Sequence, residues 1–265
     1  MRRNLLTSLF LAILIFVGLD AYGQSIFTNP ITGTNPNTSN PYTAGQTVNS
    51  GITVSGIGRG TGITGQNAID EYMASGWDTG VLNLNNYFEW TISPNSCRLV
   101  NLTSFIYTAT RGHNSINNFE FRSSLDGFTT PIGTPTWDGT TINLSGAAFQ
   151  NISTPITFRL YAWGANNSSR TFSILDFTFN GTVTPNIAVT NMTATVCSGD
   201  SFSLTPANGT NGVVPAGTTY SWSAPSVTGG ITGGAAGSGA NSISGTLNNP
   251  TNSTQTATYT VTPTS

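Results

Sequence analysis

The sequence predicts an all-β protein built as two β-sandwiches, and three observations carry that expectation. Apolar and polar residues alternate with a period of two through short runs, the pattern of strands with one buried face. Turn pairs such as Asp126-Gly127, Asp138-Gly139 and Ser145-Gly146 separate those runs at short intervals. Charged residues make up only 7% of the chain, against about 25% in ordinary soluble domains, and Thr, Ser, Asn and Gly fill the gap. A surface wetted by neutral hydroxyls and amides is common among exported β-rich proteins.

The clearest strand pair lies between Ile156 and Gly181. Ile156, Phe158, Leu160 and Ala162 alternate with Thr157, Arg159, Tyr161 and Trp163. The segment Gly164 to Arg170 supplies the small polar residues of a turn. Leu175, Phe177 and Phe179 share one face of the returning strand, and Asn180-Gly181 is expected to close it. Phe172 and Ile174 fall on the opposite parity, which predicts a bulge near Ile174.

In chain order, Met1-Arg2-Arg3, the apolar run Leu5 to Leu19 and Ala21-Tyr22-Gly23 read as a signal peptide over residues 1–23, cleaved before Gln24. A membrane anchor fits less well, because the run is shorter than the ~20 residues of a span. Without residues 1–23 the chain carries six arginines, no lysine and nine carboxylates, a net charge of −3. Scattered arginines of that number make no phosphate-binding surface, so nucleic acid is excluded as a partner. With 37% hydrophobic residues the chain has enough apolar material for packed cores. Cys97 and Cys197 fall in different expected domains.

The first domain is expected over 24–184. A loop rich in Thr, Asn, Pro and Gly around a first short strand covers residues 28–50, and a second strand covers Gly51 to Ile57. Gly60, Gly62 and Gly65 satisfy G-x-G-x-x-G, and Gln66 to Ala74 has the makings of one or two helical turns. No βαβ series follows, so a glycine-rich surface loop is preferred over a dinucleotide site. Further strands are expected at Tyr87 to Ile92, Leu99 to Thr110, Asn118 to Ser123, Thr141 to Leu144, Ile156 to Trp163 and Phe172 to Phe179.

The series Arg59-Gly60-x-Gly62, Gly76-Trp77, Tyr87-Phe88-Glu89-Trp90, Arg122 to Phe128, Phe149-Gln150-Asn151, Phe158 to Tyr161 and Asp176-Phe177-x-Phe179-x-Gly181 resembles the exported jelly-roll domains of Bacteroidetes surface proteins. These are similar in architecture to galactose-binding-like modules. The resemblance implies a non-catalytic role in a secreted or cell-surface modular protein, and it carries no binding site to transfer.

One binding face is suggested by the alternation itself. If Phe88, Trp90, Phe119, Phe121, Phe158 and Leu160 point inward, Glu89, Glu120, Arg122, Arg159, Tyr161 and Trp163 point out of the sheet. Glu120, Arg122, Arg159, Tyr161 and Trp163 then make a candidate glycan platform, since pyranose C–H faces stack on rings while hydroxyls need donors and acceptors. The competing reading is a solvated face laced by pairs such as Arg159 with Glu120 or Arg122 with Asp176, or one in which the glycine-rich loop covers Tyr161 and Trp163.

No catalytic constellation is expected. His113 is the only histidine and G-x-S-x-G is absent. Glu89, Glu120 and Asp176 could share a face, but neutralising Arg122 and Arg159 is the simpler role for them. No cofactor is expected; Asp70, Glu71 and Asp78 are the acids a structural calcium ion would use.

Val183 to Asn186 reads as a proline-containing joint, and a second domain is expected over 186–265. Its strands are Ile187 to Thr190, Ser201 to Thr205, Thr218 to Ala224, Ser242 to Leu247 and Ala257 to Pro263, with Tyr220 and Trp222 on one parity and Tyr259 and Val261 inward. Val196 to Asp200, Val214 to Trp222, Ile231 to Gly234 and Ala257 to Pro263 resemble the PKD-like, Ig-like repeats of large Bacteroidetes surface proteins. That resemblance implies a spacer in an adhesin-like protein. It also implies a further cysteine and a last strand beyond Ser265, so that Cys197 lacks its partner here. The expected function is thus that of a non-enzymatic secreted or outer-surface protein whose partners are extracellular glycans or surface proteins. A carbohydrate-binding module, accessory to an extracellular hydrolase, is the alternative.

Overall fold

The computed structural model describes residues 23–112 and 116–265. The expected signal peptide, apart from its last residue, and His113 lie outside the described residues. Strands dominate and no α-helix occurs among the described residues, so the expected all-β class holds.

The strands up to residue 185 are β1 Gln24–Pro30, β2 Thr47–Val48, β3 Ile52–Arg59, β4 Thr64–Gly65, β5 Tyr72–Ser75, β6 Tyr87–Pro94, β7 Arg98–Arg111, β8 Asn118–Ser123, β9 Gly139–Asn143, β10 Ile156–Trp163 and β11 Phe172–Pro185. They form two sheets. In one, β11 pairs with β1 and β5 along one side and with β7 along the other, with β2 and β4 beyond the first pair and β9 beyond β7. The other runs β3-β6-β10-β8, every pair antiparallel.

An aromatic core joins the two sheets. Trp90, Phe121 and Phe158 from the second sheet meet Phe105, Phe177 and Phe179 from the first, all fully buried. Phe121 stacks between Phe105 and Phe158 at centroid distances of 4.7 and 5.3 Å, and Trp90 lies 4.9 Å from Phe105. Each such ring contributes about 1.5–3 kcal/mol by leaving water, so this stack is the main reason the sheets stay together. The six residues expected inward are buried here, with Phe119 partly so.

Three local expectations change. The register of β11 against β7 shifts between Ile174 and Asp176, which is the expected bulge. Leu175 is the residue it displaces, half-buried rather than inward, while Phe172, Ile174, Phe177 and Phe179 all reach the core. The helical turns expected over Gln66 to Ala74 are absent: Tyr72 and Ala74 point inward and pair with Ile174 and Phe172, so sheet pairing overrides local propensity. Asn180-Gly181 does not close β11 either. It marks a second register shift, after which Val183 pairs with Val100 and Pro185 with Arg98. The expected joint is therefore largely inside the ladder, and the Asn186 amide continues it by donating to the Cys97 carbonyl.

Shorter strands follow: β12 Ala188–Val189, β13 Ser201–Leu204, β14 Gly212–Val213, β15 Thr219–Trp222, β16 Ser226–Val227, β17 Gly237–Ala240, β18 Ile243–Thr246, β19 Ala257–Thr258 and β20 Val261–Thr264. The long strand expected at Ala257 to Pro263 is broken into β19 and β20 around Tyr259. Tyr220, Trp222 and Ile243 form a second apolar cluster, against which Phe202, Leu204, Tyr259 and Val261 pack half-buried. It shares no residue with the first core.

Candidate functional site

The outer face of the β3-β6-β10-β8 sheet brings the five expected site residues together. Arg159, Tyr161 and Trp163 alternate along β10, while Glu120 and Arg122 stand on the neighbouring β8. Arg159 lies opposite Glu89 on one side and Arg122 on the other, and Tyr161 lies between Tyr87 and Glu120.

These groups are mostly spent on one another. Arg122 donates to Glu120 through Nε at 2.7 Å and through Nη2, and its Nη1 donates to the Phe128 carbonyl at 2.9 Å. Arg159 Nε donates to Glu89 Oε2 at 3.1 Å. The Arg159 guanidinium carbon sits 4.0 Å from the centroids of both Tyr87 and Phe128, a cation held between two rings. Burial, and then the Glu89 carboxylate, push the Tyr87 phenol above its ordinary pKa, with Arg159 working against them. The pairs differ from the expected ones. Arg159 takes Glu89 rather than Glu120, and Arg122 takes Glu120 two residues away on its own strand. Asp176 belongs to the other sheet, where it accepts a hydrogen bond from the Thr108 hydroxyl.

Tyr161 is fully buried, although its parity points it away from the aromatic core. The Tyr87 ring meets it edge-on at 5.6 Å and the Arg122 guanidinium lies 5.6 Å from its centroid. As folded, it offers no ring face to a ligand. Its hydroxyl faces the Arg159 guanidinium, short of good hydrogen-bonding geometry. Trp163 is half-buried beside Asn118, with Asp78 bridging alongside. Of the two rings that sandwich Arg159, Tyr87 shares the parity of Glu89 on β6 and is legible from alternation, whereas Phe128 comes from the turn after β8 and carries no period.

The glycine-rich stretch is filled from within. The Gly62 amide donates to the Asn85 carbonyl at 3.0 Å. A side chain at Gly62 would place its first carbon 1.9 Å from Asn86 Oδ1, and one at Gly65 would sit 2.1 Å from the Asn37 carbonyl. These glycines permit close packing of the chain on itself, so the loop is not a phosphate cradle. Gly60 in this stretch lies against the Tyr87 ring, the same ring that meets Tyr161 edge-on. Arg59 in the same stretch is buried and donates to the carbonyls of Asn37 and Ser39 at 3.1 Å each, and of Pro36 at 3.4 Å.

Among the described residues no group of three or more His, Cys, Asp or Glu side chains is placed to hold a metal ion. Asp70 accepts the Gly33 amide, and Asp78 Oδ2 accepts Asn86 Nδ2 at 3.0 Å. Cys97 and Cys197 are free thiols. A groove of about 540 Å³ opens beside the second apolar cluster, between Met192, Phe202, Leu204, Tyr220, Tyr259 and Val261. No acid, base or arginine lines it.

Residues 194–265 match the model of the PKD-like domain. No curated protein and no solved structure matches the chain. No helix among the described residues is long and apolar enough to cross a membrane.

Proposed function

We propose that this chain is a non-catalytic, modular protein of the cell exterior, in which a jelly-roll sandwich over residues 24–184 is joined to a PKD-like spacer over 186–265. The PKD-like match over residues 194–265 carries the reading. Domains of that kind are generally non-catalytic and occur in extracellular proteins. The state of the first sandwich supports it: the acids and arginines of its most polar face are paired off, and its glycine loop is filled. Adhesion, with the second unit setting the first away from its anchoring point, is the role such a protein fills. Protease treatment of intact cells that express it, followed by immunodetection of both units, tests this directly. Loss of both from intact cells is expected; protection of both until lysis would overturn the reading.

A further inference from the structure

Val81 and Leu84 are 80% and 56% exposed and stand three positions apart on one loop, whereas the other exposed large apolar side chains among the described residues stand singly along the chain. Leu82 between them is half-buried. A single exposed apolar residue needs no explanation; a pair raised on one loop does.

That loop, residues 76–86 between β5 and β6, is pinned at its root and free at its tip. Trp77 is fully buried, edge-on to Phe88 at 5.3 Å and to Phe172 at 5.8 Å, and its Nε1 donates to the Ala74 carbonyl at 2.9 Å. Asn86 Nδ2 donates to the Gly76 carbonyl at 3.1 Å and to Asp78 Oδ2 at 3.0 Å, which ties the two ends of the loop together. The Asn86 amide donates to the Asn83 carbonyl at 3.1 Å and the Asn85 amide to Asn83 Oδ1 at 2.9 Å, fixing the backbone around Leu84. Residues 79–82 make no backbone hydrogen bond among the described residues, and a side chain at Gly80 would meet nothing within 4 Å. The tip stands clear of the rest of the protein.

Strand pairing shows which end of the sandwich this is. Phe172, at the start of β11, lies opposite Ala74 near the end of β5 and opposite Arg111 at the end of β7. The chain leaves β11 at Pro185, about 43 Å further along at 3.3 Å per residue. A second loop, residues 164–171 between β10 and β11, is bonded to the first. The Gly164 and Ala165 amides donate to the Asp78 carbonyl at 2.9 and 3.0 Å, and the Gly76 amide donates to the Ser168 carbonyl at 2.8 Å. This second loop carries Arg170, whose Nε donates to Asn166 Oδ1 at 2.6 Å and which is in no ion pair among the described residues. Asp78, the acid of the first loop, spends its carboxylate on Asn86. Two open aliphatic side chains and a guanidinium without an acid partner therefore share the end of the sandwich opposite the one where the chain leaves.

We propose that this end docks on a phospholipid surface, with Val81 and Leu84 entering the apolar side of the headgroup layer and Arg170 meeting lipid phosphate. The inference rests on the exterior reading above and names the surface that the first sandwich grips. Aliphatic side chains gain by leaving water for acyl chains without needing a matched shape, and a guanidinium fork suits phosphate. A sugar gains little here, because saturated side chains have no ring face to stack on it. A protein partner needs about 800 Å² on each side with aromatic anchors near an apolar centre, and this loop exposes no aromatic side chain.

The test is sedimentation of the purified chain with sucrose-loaded phosphatidylcholine vesicles over a titration of lipid. Bound protein is expected to rise with lipid. Val81→Asp combined with Leu84→Asp should lower partitioning about tenfold or more, while the melting temperature moves by less than about 2 °C because both side chains are exposed. Arg170→Gln should lower partitioning about fivefold. No sedimentation with vesicles, or equal sedimentation of wild type and the double variant, would overturn the proposal. So would self-association of the free protein that the double variant abolishes, since the occupant would then be a second copy. Purified protein is used throughout, so a failure here leaves the exterior location standing, and protease treatment of intact cells tests that location separately.

Discussion

The Arg59 guanidinium carbon lies 3.7 Å from the centre of the Tyr72 ring. Burial lowers the pKa of the guanidinium and the nearby Tyr72 partly restores it, yet no carboxylate pairs with it among the described residues. The charge is carried by three backbone carbonyls and the ring, and those carbonyls belong to the loop at Pro36 to Ser39. Arg59 thus pins that loop to the sandwich. Arg59→Lys keeps the charge but not the planar fork, and it should cost about 2 kcal/mol in urea unfolding. A cost near zero would show that the loop does not need the guanidinium.

Gly62 makes a second, sharper case. A methyl group there would collide with Asn86 Oδ1, and Asn86 is buried with its amide nitrogen bound to Gly76 and Asp78. Gly62→Ala should destabilise the chain by about 1–3 kcal/mol. Calorimetric titration with NAD or ADP should give no heat with wild type or variant.

On the polar face of the smaller sheet, removal of the Tyr161 hydroxyl should be tolerated. It is buried and meets only the Arg159 guanidinium, short of good hydrogen-bonding geometry, so Tyr161→Phe is expected to cost no more than about 1 kcal/mol. Tyr161→Ala should cost about 3 kcal/mol or more, as for other buried rings. The Arg159–Glu89 pair has side chains 25% and 33% exposed, and a double-mutant cycle should return under about 1 kcal/mol.

Asp126 predicts a pH response in the turn after β8. Hydrogen bonds from Thr130 and Thr129 hold its carboxyl at a pKa of about 2, below the ordinary carboxylate value. A depressed folded pKa means that the turn's stabilisation is fully present above the unfolded value near 4 and is lost as pH falls through about 2. Side-chain NMR of the carboxyl should show that midpoint. A midpoint near 4 would mean that Thr130 and Thr129 do not hold the carboxylate in solution.

The two apolar clusters differ in how well they are filled, and unfolding should reveal it. The first holds stacked rings with no exposure, whereas the second has three buried residues beside an open groove of about 540 Å³. Heating followed by tryptophan fluorescence and by calorimetry should give two transitions, the lower one tracking Trp222. A single transition seen by both probes would mean that the clusters unfold as one.

Alternation alone located β8 and β10 to the residue and placed Phe88, Trp90 and Phe158 inward, because a buried face leaves a period-two mark that neighbours cannot erase. What it could not give was distance across strands. Arg159 takes Glu89 because Glu89 stands directly opposite it, whereas Glu120 stands opposite Tyr161 and is held by Arg122 on its own strand. Tyr161 shows the same limit in another form: parity sets which way a side chain leaves the sheet, but not whether Tyr87 and Arg122 then close over it. The turn before β9 carries no period either: the Tyr107 hydroxyl holds the amide and carbonyl of Thr136, a contact that exists only after folding.

The first sheet also decides how this molecule bears tension. Gln24, at the start of β1, pairs with Gly181, and β11 leaves the sheet four residues later at Pro185. The start of β1 and the exit of β11 therefore sit at the same end of the sandwich, on adjacent antiparallel strands. Tension on the outgoing chain meets the Pro185–Arg98 rung before any rung of β1, so the long strand is peeled from its end like tape, and the aromatic rings behind it carry no load while those rungs hold.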